Sequence, residues 1–402
     1  MQQVVKKKSK GTFKKYILKA HLWLGLLSGI IVLIVSLSGA FFVFNEDITS
    51  ALRKEHSYHG EKDIQHKKPI PIRELRDLVN DQLKNEIVKT DDVTIPMDPS
   101  RSYQFGLIKI NPDGWNHFNT FIVYKNVYVN QYTGKVLAIY DVKNNPFFIS
   151  MILHRSLLLS NKIGGTIVGV STIIFVVMLI TGIILWWPKN KKMRKQRLWF
   201  RWEKVKGWRR KNYDVHNILG FYASFLAIIV AITGIMYSFR ITQIWLYALL
   251  NGFSTATPDY SKYKTTAPES VETATTIDRI IEQVKIHYPK AYSFEINLED
   301  HADADHQHDN LSVWIKEKEF TYAESSMMIF DEHSGKLLFS RPHQDKPMAE
   351  RATDATYDLH VGAFFGMPGK ILAFIMSLFC ASLPITGFMI WWGRRNKKKI
   401  TT

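Results

Sequence analysis

The sequence is short of cysteine and of acidic side chains. Cys380 is its only cysteine, which excludes a disulfide within the chain, and its position inside an apolar run favours a packing role. Aspartate and glutamate number 36 against 53 lysines and arginines, so the formal net charge is +17. The positive excess is concentrated in three short segments beside apolar runs, residues 1–15, 188–214 and 393–402. Basic flanks of this kind orient membrane proteins and can meet anionic lipid, so we predict no nucleic-acid partner.

Four long apolar runs dominate the remaining sequence. Each has an interior with almost no charge, and at about 1.5 Å per residue each is long enough to cross a hydrocarbon core of about 30 Å. We therefore predict four transmembrane helices, the second and fourth beginning with an interfacial segment. They cover residues 16–44, 147–187, 215–239 and 357–392.

The basic flanks also predict the topology. Segments rich in lysine and arginine stay in the cytoplasm, so both termini and the linker 188–214 are predicted to be cytoplasmic. Segments 45–146 and 240–356 are then extracytoplasmic, and the host membrane is the bacterial inner membrane. The first apolar run is long for a signal-peptide core, which favours an uncleaved membrane anchor.

The two extracytoplasmic segments share an order of elements. Each contains an amphipathic helix, predicted at 72–88 and 276–287, followed by β-type runs and a hairpin with Gly134 or Gly335 at its turn. The β-type runs are residues 103–110, 118–124 and 127–130 in the first segment and 311–316 and 326–330 in the second. A helix laid on an antiparallel sheet fits this order, so we predict two small α+β domains.

Histidines and glycines recur at matched spacings in the two halves of the chain. Gly25 and Gly39 come after His21 in the first half, and Gly220 and Gly234 come after His216 in the second half. The numbers of residues from histidine to glycine are the same in both halves. His154 and His360 each precede a Thr-Gly pair and a Trp-Trp pair, at spacings that agree within one residue. The four tryptophans of those pairs, 186, 187, 391 and 392, are predicted to be interfacial belt residues. The pattern indicates an internal duplication, with each half consisting of a span, an outer domain and a second span.

The four histidines are the candidate functional residues. An ionisable residue in a membrane helix is costly, so it is expected to face the bundle interior and to have a partner. The duplication places His21 and His216 in one layer and His154 and His360 in another. Two imidazoles make a poor zinc site, which needs four ligands, but they supply the two axial ligands of a haem. The alternative is that these histidines only pack and donate to backbone carbonyls.

Glycines near the histidines fit either interpretation. They would let a flat macrocycle or a neighbouring helix approach the backbone closely. The glycines concerned are Gly25, Gly39, Gly182, Gly220, Gly234 and Gly387.

These motifs together resemble the PepSY-associated transmembrane family, an iron-regulated group that includes ferric-siderophore reductases. The resemblance rests on His-Leu-Trp-Leu-Gly from His21, Leu-His-Arg around His154, the two Thr-Gly to Trp-Trp endings and the hairpin at 132–136. It implies a four-helix inner-membrane protein with two b-type haems and two PepSY-like periplasmic domains. It also implies that His21 with His216 and His154 with His360 bind the haem irons, and that electrons pass outward to iron held by a siderophore.

Both histidines of the outer layer precede a glycine by about ten residues, which would place them above the bilayer on a straight helix. Bends at Gly164-Gly165 and at Pro368-Gly369 would return them to the membrane edge. No flavin or nicotinamide motif is found in the short cytoplasmic segments, which favours a membrane quinol or a separate cytoplasmic reductase as the electron donor.

Two alternative functions stay open at this point. The chain could be a haem-free accessory subunit of siderophore or peptide export, or a membrane regulator that restrains a periplasmic peptidase. The acidic and histidine-rich stretch 299–309 could bind a divalent metal, but we predict a solvated loop there.

Overall fold

The structure is a computed structural model that describes residues 10–84, 86, 90, 92–188, 197–204, 207–255, 263, 275–298, 310–332 and 334–400. These residues form two compact units. The helix bundle takes its residues from segments 1–43, 150–240 and 359–402, and the sheet unit takes its residues from segments 44–149 and 241–358.

The helices and strands are numbered in chain order. The helices are α1 Lys10–Phe42, α2 Asn45–Leu52, α3 Lys54–Ser57, α4 Ile72–Gln82, α5 His117–Thr120, α6 Pro146–Ser156, α7 Thr166–Trp186, α8 Trp208–Ser238, α9 Arg240–Leu250, α10 Thr275–His287, α11 Met348–Val361 and α12 Gly366–Ile400. The strands are β1 Asp92–Pro96, β2 Tyr103–Ile110, β3 Phe121–Val129, β4 Val136–Asp141, β5 Ser293–Asn297, β6 Asn310–Lys316, β7 Ser325–Asp331 and β8 Leu337–Arg341.

The bundle is built from α1, α7, α8 and α12, all of which are long and apolar enough to cross a membrane. Each helix contacts two others, in the cyclic order α1, α7, α8, α12. Small and medium side chains fill the centre, including Ala223, Ala227, Met376 and Cys380. Large apolar side chains face outward, and only 22% of the most apolar stretch of α1 is buried within the protein. The prediction of four membrane helices is therefore confirmed, since an outward apolar surface needs lipid around it.

The sheet unit contains one antiparallel sheet of eight strands in the order β4-β3-β2-β1-β5-β6-β7-β8. The two central strands come from different halves of the chain, and Val93 of β1 lies opposite Ile296 of β5. Helices α4 and α10 share one core with the inward side chains of the sheet, among them Phe105, Phe294 and Phe330. The two segments predicted as separate α+β domains thus share one sheet and one core, because β1 and β5 pair with each other.

Several element boundaries differ from the sequence prediction. The predicted strands 118–124 and 127–130 correspond to the single strand β3, since Lys125 and Asn126 continue its ladder opposite Leu107 and Gly106 of β2. Residues 118–120, predicted as strand, belong to helix α5 instead. The helix predicted at 72–88 ends at Gln82. Strand β2 has the predicted bounds, and its inward residues alternate with more exposed ones over most of its length.

The shared core predicts a large difference between two identical substitutions in the sheet unit. Phe294→Ala removes a side chain that is 1% exposed, so the free energy of unfolding should fall by about 3–5 kcal/mol. Phe118→Ala, at a ring that is 54% exposed, should change the free energy of unfolding by about 0.5 kcal/mol or less. Denaturant unfolding in detergent, followed by the protease resistance of the sheet unit, measures both. Equal losses would contradict a single core that contains Phe294.

Candidate functional site

The four candidate histidines lie in the helix bundle as two facing pairs. The ring centroids of His21 and His216 are 6.5 Å apart, with an interplanar angle of 86°. Those of His154 and His360 are 5.9 Å apart, with an interplanar angle of 68°. Each pair joins one histidine from the first half of the chain to its counterpart from the second half.

Two threonine hydroxyls hold the first pair. Nδ1 of His21 lies 2.9 Å from Oγ1 of Thr181, and Nδ1 of His216 lies 2.9 Å from Oγ1 of Thr386. Each hydroxyl also donates to the carbonyl four residues earlier on its own helix, at 2.8 and 2.9 Å respectively. Because a threonine hydroxyl has one hydrogen, it must accept from the imidazole, so Nδ1 carries the proton in both rings. The sequence showed this Thr-Gly pair twice but gave no sign that its hydroxyl orients a histidine.

Backbone carbonyls hold the second pair. Nδ1 of His154 donates to the Val35 carbonyl at 2.8 Å, and Nδ1 of His360 donates to the Val230 carbonyl at 3.0 Å. Oγ1 of Thr233 also lies 3.0 Å from Nδ1 of His360. A carbonyl oxygen can only accept, so these two rings also carry their proton on Nδ1.

This arrangement leaves the same atom available in all four rings. With the proton on Nδ1, Nε2 has a lone pair, which is the form of imidazole that binds a metal. Among the described residues, no group forms a hydrogen bond with Nε2 of any of the four. The alternative of histidines that only pack and donate to carbonyls accounts for the Nδ1 contacts, and the distance and angle of each ring pair are also those of an edge-to-face aromatic contact. The case for a metal therefore rests on the unbonded Nε2 atoms and on the matched pairing of the four rings.

Four glycines give the rings room. A Cβ atom added at Gly39 or Gly234 would lie 2.8 or 3.1 Å from Cε1 of the facing histidine in the second pair. A Cβ atom added at Gly182 or Gly387 would lie 3.4 or 3.2 Å from Cε1 of the facing histidine in the first pair. These glycines therefore admit an imidazole from a neighbouring helix, whereas the sequence left open whether they admit a macrocycle or a helix.

Chain reversals bring the second pair against α1 and α8. After α6 the chain turns through Leu157 and Leu158, both with positive φ, and after α11 it turns through Gly362 at φ +81°. Gly164 then lies against the end of α6, and Gly369 lies against the Gly362 carbonyl, where a Cβ atom would collide with backbone. The predicted bends lie close to these positions, and they lead the chain back beside His154 and His360.

The separation of the rings fits a single metal between each pair. With metal–nitrogen bonds of about 2.0–2.1 Å and ring centres about 1.1 Å from the nitrogen, two imidazoles on opposite sides of a metal have centroids about 6.3 Å apart. The observed 6.5 and 5.9 Å bracket this value. In the described part of the chain, no group of three or more His, Cys, Asp or Glu side chains could hold a metal. A metal at either pair would therefore have two protein ligands, which suits an iron whose other four ligands belong to a macrocycle. The stretch 299–309 lies outside the described residues.

A cavity of about 460 Å³ surrounds the first pair. This volume lies within the range of about 300–1,000 Å³ that small-molecule and cofactor sites occupy. Its walls are mainly apolar, and besides the two histidines six polar residues line it, Lys19, Ser28, Tyr213, Asn217, Ser224 and Arg394. Four of the predicted glycines line it too, Gly25, Gly182, Gly220 and Gly387.

The paired tryptophans do not behave alike. Trp187 and Trp392 are at least half exposed, as expected for interfacial residues. Trp186 is 5% exposed, lines the cavity and stacks on Phe221 with ring centroids 3.7 Å apart. Trp391 lines the same cavity. The prediction of a common interfacial role is therefore wrong for Trp186, because two adjacent residues on a helix point about 100° apart and only one can face the lipid side.

The two pairs lie at different depths in the bundle. On α1, the Val35 carbonyl, which binds His154, comes after His21 along the helix. On α8, the Val230 carbonyl, which binds His360, comes after His216 by the same number of residues. This spacing is about four helical turns, so both helices separate the two layers by about 21 Å.

Comparison with known proteins gives a match over nearly the whole chain. The family described as PepSY-associated TM region matches residues 18–394, a range that includes all four histidines. No curated protein matches the chain. The family match, together with the four membrane helices, shows that this chain belongs to the PepSY-associated transmembrane family.

Proposed function

We propose that this chain is a di-haem oxidoreductase of the bacterial inner membrane that passes electrons outward and reduces ferric iron bound to a siderophore. The observation that carries the proposal is the pair of histidine couples in one membrane bundle, each with two proton-free Nε2 atoms and a ring separation suited to one iron. The cofactors are two b-type haems, one bound by His21 and His216 and the other by His154 and His360.

The membrane topology forms part of the proposal. Both termini and the basic linker 188–214 are cytoplasmic, as the positive flanks favour, and the sheet unit is periplasmic. His21 lies in the first part of α1, and Val35, which binds His154, lies near its end. The first pair is then nearer the cytoplasm and the second nearer the periplasm.

The protein fixes the position and the tautomer of the imidazole ligands, and it supplies an apolar cavity for the cofactor. A bound haem supplies an iron that takes up and releases one electron. Thr181 and Thr386 hold two imidazoles with Nε2 proton-free, and the backbone carbonyls of Val35 and Val230 do the same for the other two. Such hydrogen bonds raise the electron-donating strength of a metal-bound imidazole. The apolar walls of the cavity limit contact between a ligand bound there and water, which favours electron transfer without loss to side reactions.

The electron donor and acceptor follow from the proposed topology. The basic cytoplasmic segments of this sequence contain no flavin or nicotinamide motif, so a membrane quinol or a separate cytoplasmic reductase is the proposed donor. The acceptor is a ferric siderophore on the periplasmic side. Ferric iron prefers hard oxygen ligands more strongly than ferrous iron does, so adding one electron loosens the complex.

We also infer that the chain arose by an internal duplication with two PepSY-like domains. Each half contributes one histidine bound through a threonine hydroxyl and one bound through a valine carbonyl, with matching glycines beside them. Each half also contributes one helix of the shared core, α4 or α10, and four strands, which are arranged in mirrored order about β1 and β5.

The ligand assignment predicts a specific loss of haem. Purified protein should show a reducible b-type Soret band, and His21→Ala or His216→Ala should remove about half of the haem, because each deletes one of two axial ligands at one site. His66→Ala, at an exposed histidine of the sheet unit, should keep the full amount. Pyridine haemochrome assay against protein concentration measures the ratio. Colourless wild-type protein from haem-replete cells would favour a haem-free accessory or regulatory role.

The threonine contacts predict a shift in reduction potential. Thr181→Val keeps the shape of the side chain but removes the hydroxyl acceptor for Nδ1 of His21 and leaves the backbone contact with Met178. The imidazole should then donate less strongly to a bound iron, which favours the ferrous state. A tenfold gain corresponds to a rise of about 59 mV for a one-electron couple. Potentiometric titration should show this rise in one of the two haems and not in Thr181→Ser, which retains a hydroxyl. An unchanged reduction potential in Thr181→Val would show that Thr181 does not influence a haem through His21.

The proposed acceptor predicts reoxidation by iron. Protein reduced with dithionite and freed of excess reductant should return to the oxidised spectrum when a ferric siderophore is added anaerobically. One ferrous iron should appear for each haem that is oxidised, and a ferrous-specific chelator measures the amount. The iron-free siderophore is the control and should leave the reduced spectrum intact. Haem that stays reduced with every ferric siderophore tried would point to a different acceptor.

A further inference from the structure

Two basic side chains line the polar end of the cavity. Lys19 of α1 and Arg394 of α12 both line the cavity around His21 and His216. They lie on helices that pack against each other. Both residues are exposed, and among the described residues no carboxylate forms an ion pair with either.

The matched position in the other half of the chain has the opposite charge. Lys19 lies two residues before His21, and Asp214 lies two residues before His216. Asp214 accepts from Arg210 at 3.0 Å, which neutralises it. The α8 side of the opening therefore presents the neutral residues Tyr213 and Asn217 to the cavity. The histidines therefore follow the repeat of the chain, whereas Lys19 has no basic counterpart at the matched position before His216.

An apolar cavity with two cations at one edge suits a ligand with an apolar body and acidic groups along one side. Lysine and arginine both bind carboxylates, and a charge-assisted hydrogen bond is stronger than a neutral one. A b-type haem has this form, since its ring is apolar and its two carboxylates lie on one edge. Among the described residues that line the cavity, Lys19 and Arg394 are the lysine and the arginine available to those carboxylates.

We propose that Lys19 and Arg394 bind the carboxylates of the porphyrin held between His21 and His216, and so fix which edge of the ring faces the cavity opening. This inference rests on the proposed di-haem function. It adds two ligand-binding residues on one side of the bundle and a requirement that the ligand have free carboxylates. Because both cations are partly in water, the contribution of each is moderate and depends on salt.

The test compares two forms of the ligand and two pairs of basic residues. Full-length apo-protein in detergent is titrated with haem b and with its dimethyl ester, in which both carboxylates are blocked, and the Soret band gives the affinities. Lys19→Gln with Arg394→Gln should weaken haem binding at one of the two sites by about tenfold, as expected for two partly exposed charge contacts. The same variant should bind the dimethyl ester as the wild type does.

A matched control separates this effect from net charge. Lys15→Gln with Arg395→Gln removes one lysine and one arginine from the same two helices at residues that do not line the cavity, and Arg395 lies over Trp391 instead. It should leave haem affinity within about twofold of the wild type. Equal weakening in both variants, or wild-type protein that binds the ester as tightly as haem, would overturn the inference while leaving the di-haem proposal intact. Wild-type protein that binds no haem would instead refute the proposed function.

Discussion

The structure depends on one repeated contact, the hydrogen bond from Nδ1 of a histidine to an acceptor on a neighbouring helix. This bond fixes the tautomer and the direction of Nε2, and in each pair it turns two rings toward each other. A buried imidazole with no Nδ1 partner would lose the energy of that bond and the contact that fixes its tautomer. The glycines, the threonines and the chain reversals before α7 and α12 all serve to bring a ring within reach of its acceptor.

Much of the membrane part could be predicted from the sequence because its signals are local. Long apolar runs and matched histidine spacings lie within single helices. The sheet unit was harder. Strands β1 and β5 were not predicted, because each is short and its pairing partner comes from the other half of the chain. Their pairing unites the two predicted domains, and no local pattern encodes a contact between segments so far apart in sequence.

The same division applies to the candidate site. The histidines stand out in the sequence because an ionisable residue in an apolar run is costly. Thr181 and Thr386 do not stand out, because a threonine in a membrane helix usually bonds to its own backbone, and these two do so as well. Their second role, as acceptors for an imidazole, exists only where another helix brings a histidine alongside. Trp186 was misplaced for the same reason, since helix rotation decides which of two adjacent tryptophans faces the cavity.

The shared spacing from His21 to Gly39 and from His216 to Gly234 has a physical explanation in these contacts. A side chain on a helix covers the turn that precedes its own Cα, so the residue at i+4 normally shields the carbonyl at i. His154 reaches the carbonyl of Val35, and Gly39 lies at i+4 from Val35, where the absence of a Cβ opens that carbonyl. His360, the Val230 carbonyl and Gly234 repeat this relation.

The spacing from histidine to glycine is therefore the sum of two lengths of helix. The first separates the two histidine layers, and the second is the one further turn that exposes the acceptor. A glycine moved by one residue along α1 or α8 would open a different carbonyl, about 100° around the helix. The ring of His154 or His360 would then lose its acceptor, and the second pair of rings could no longer face each other.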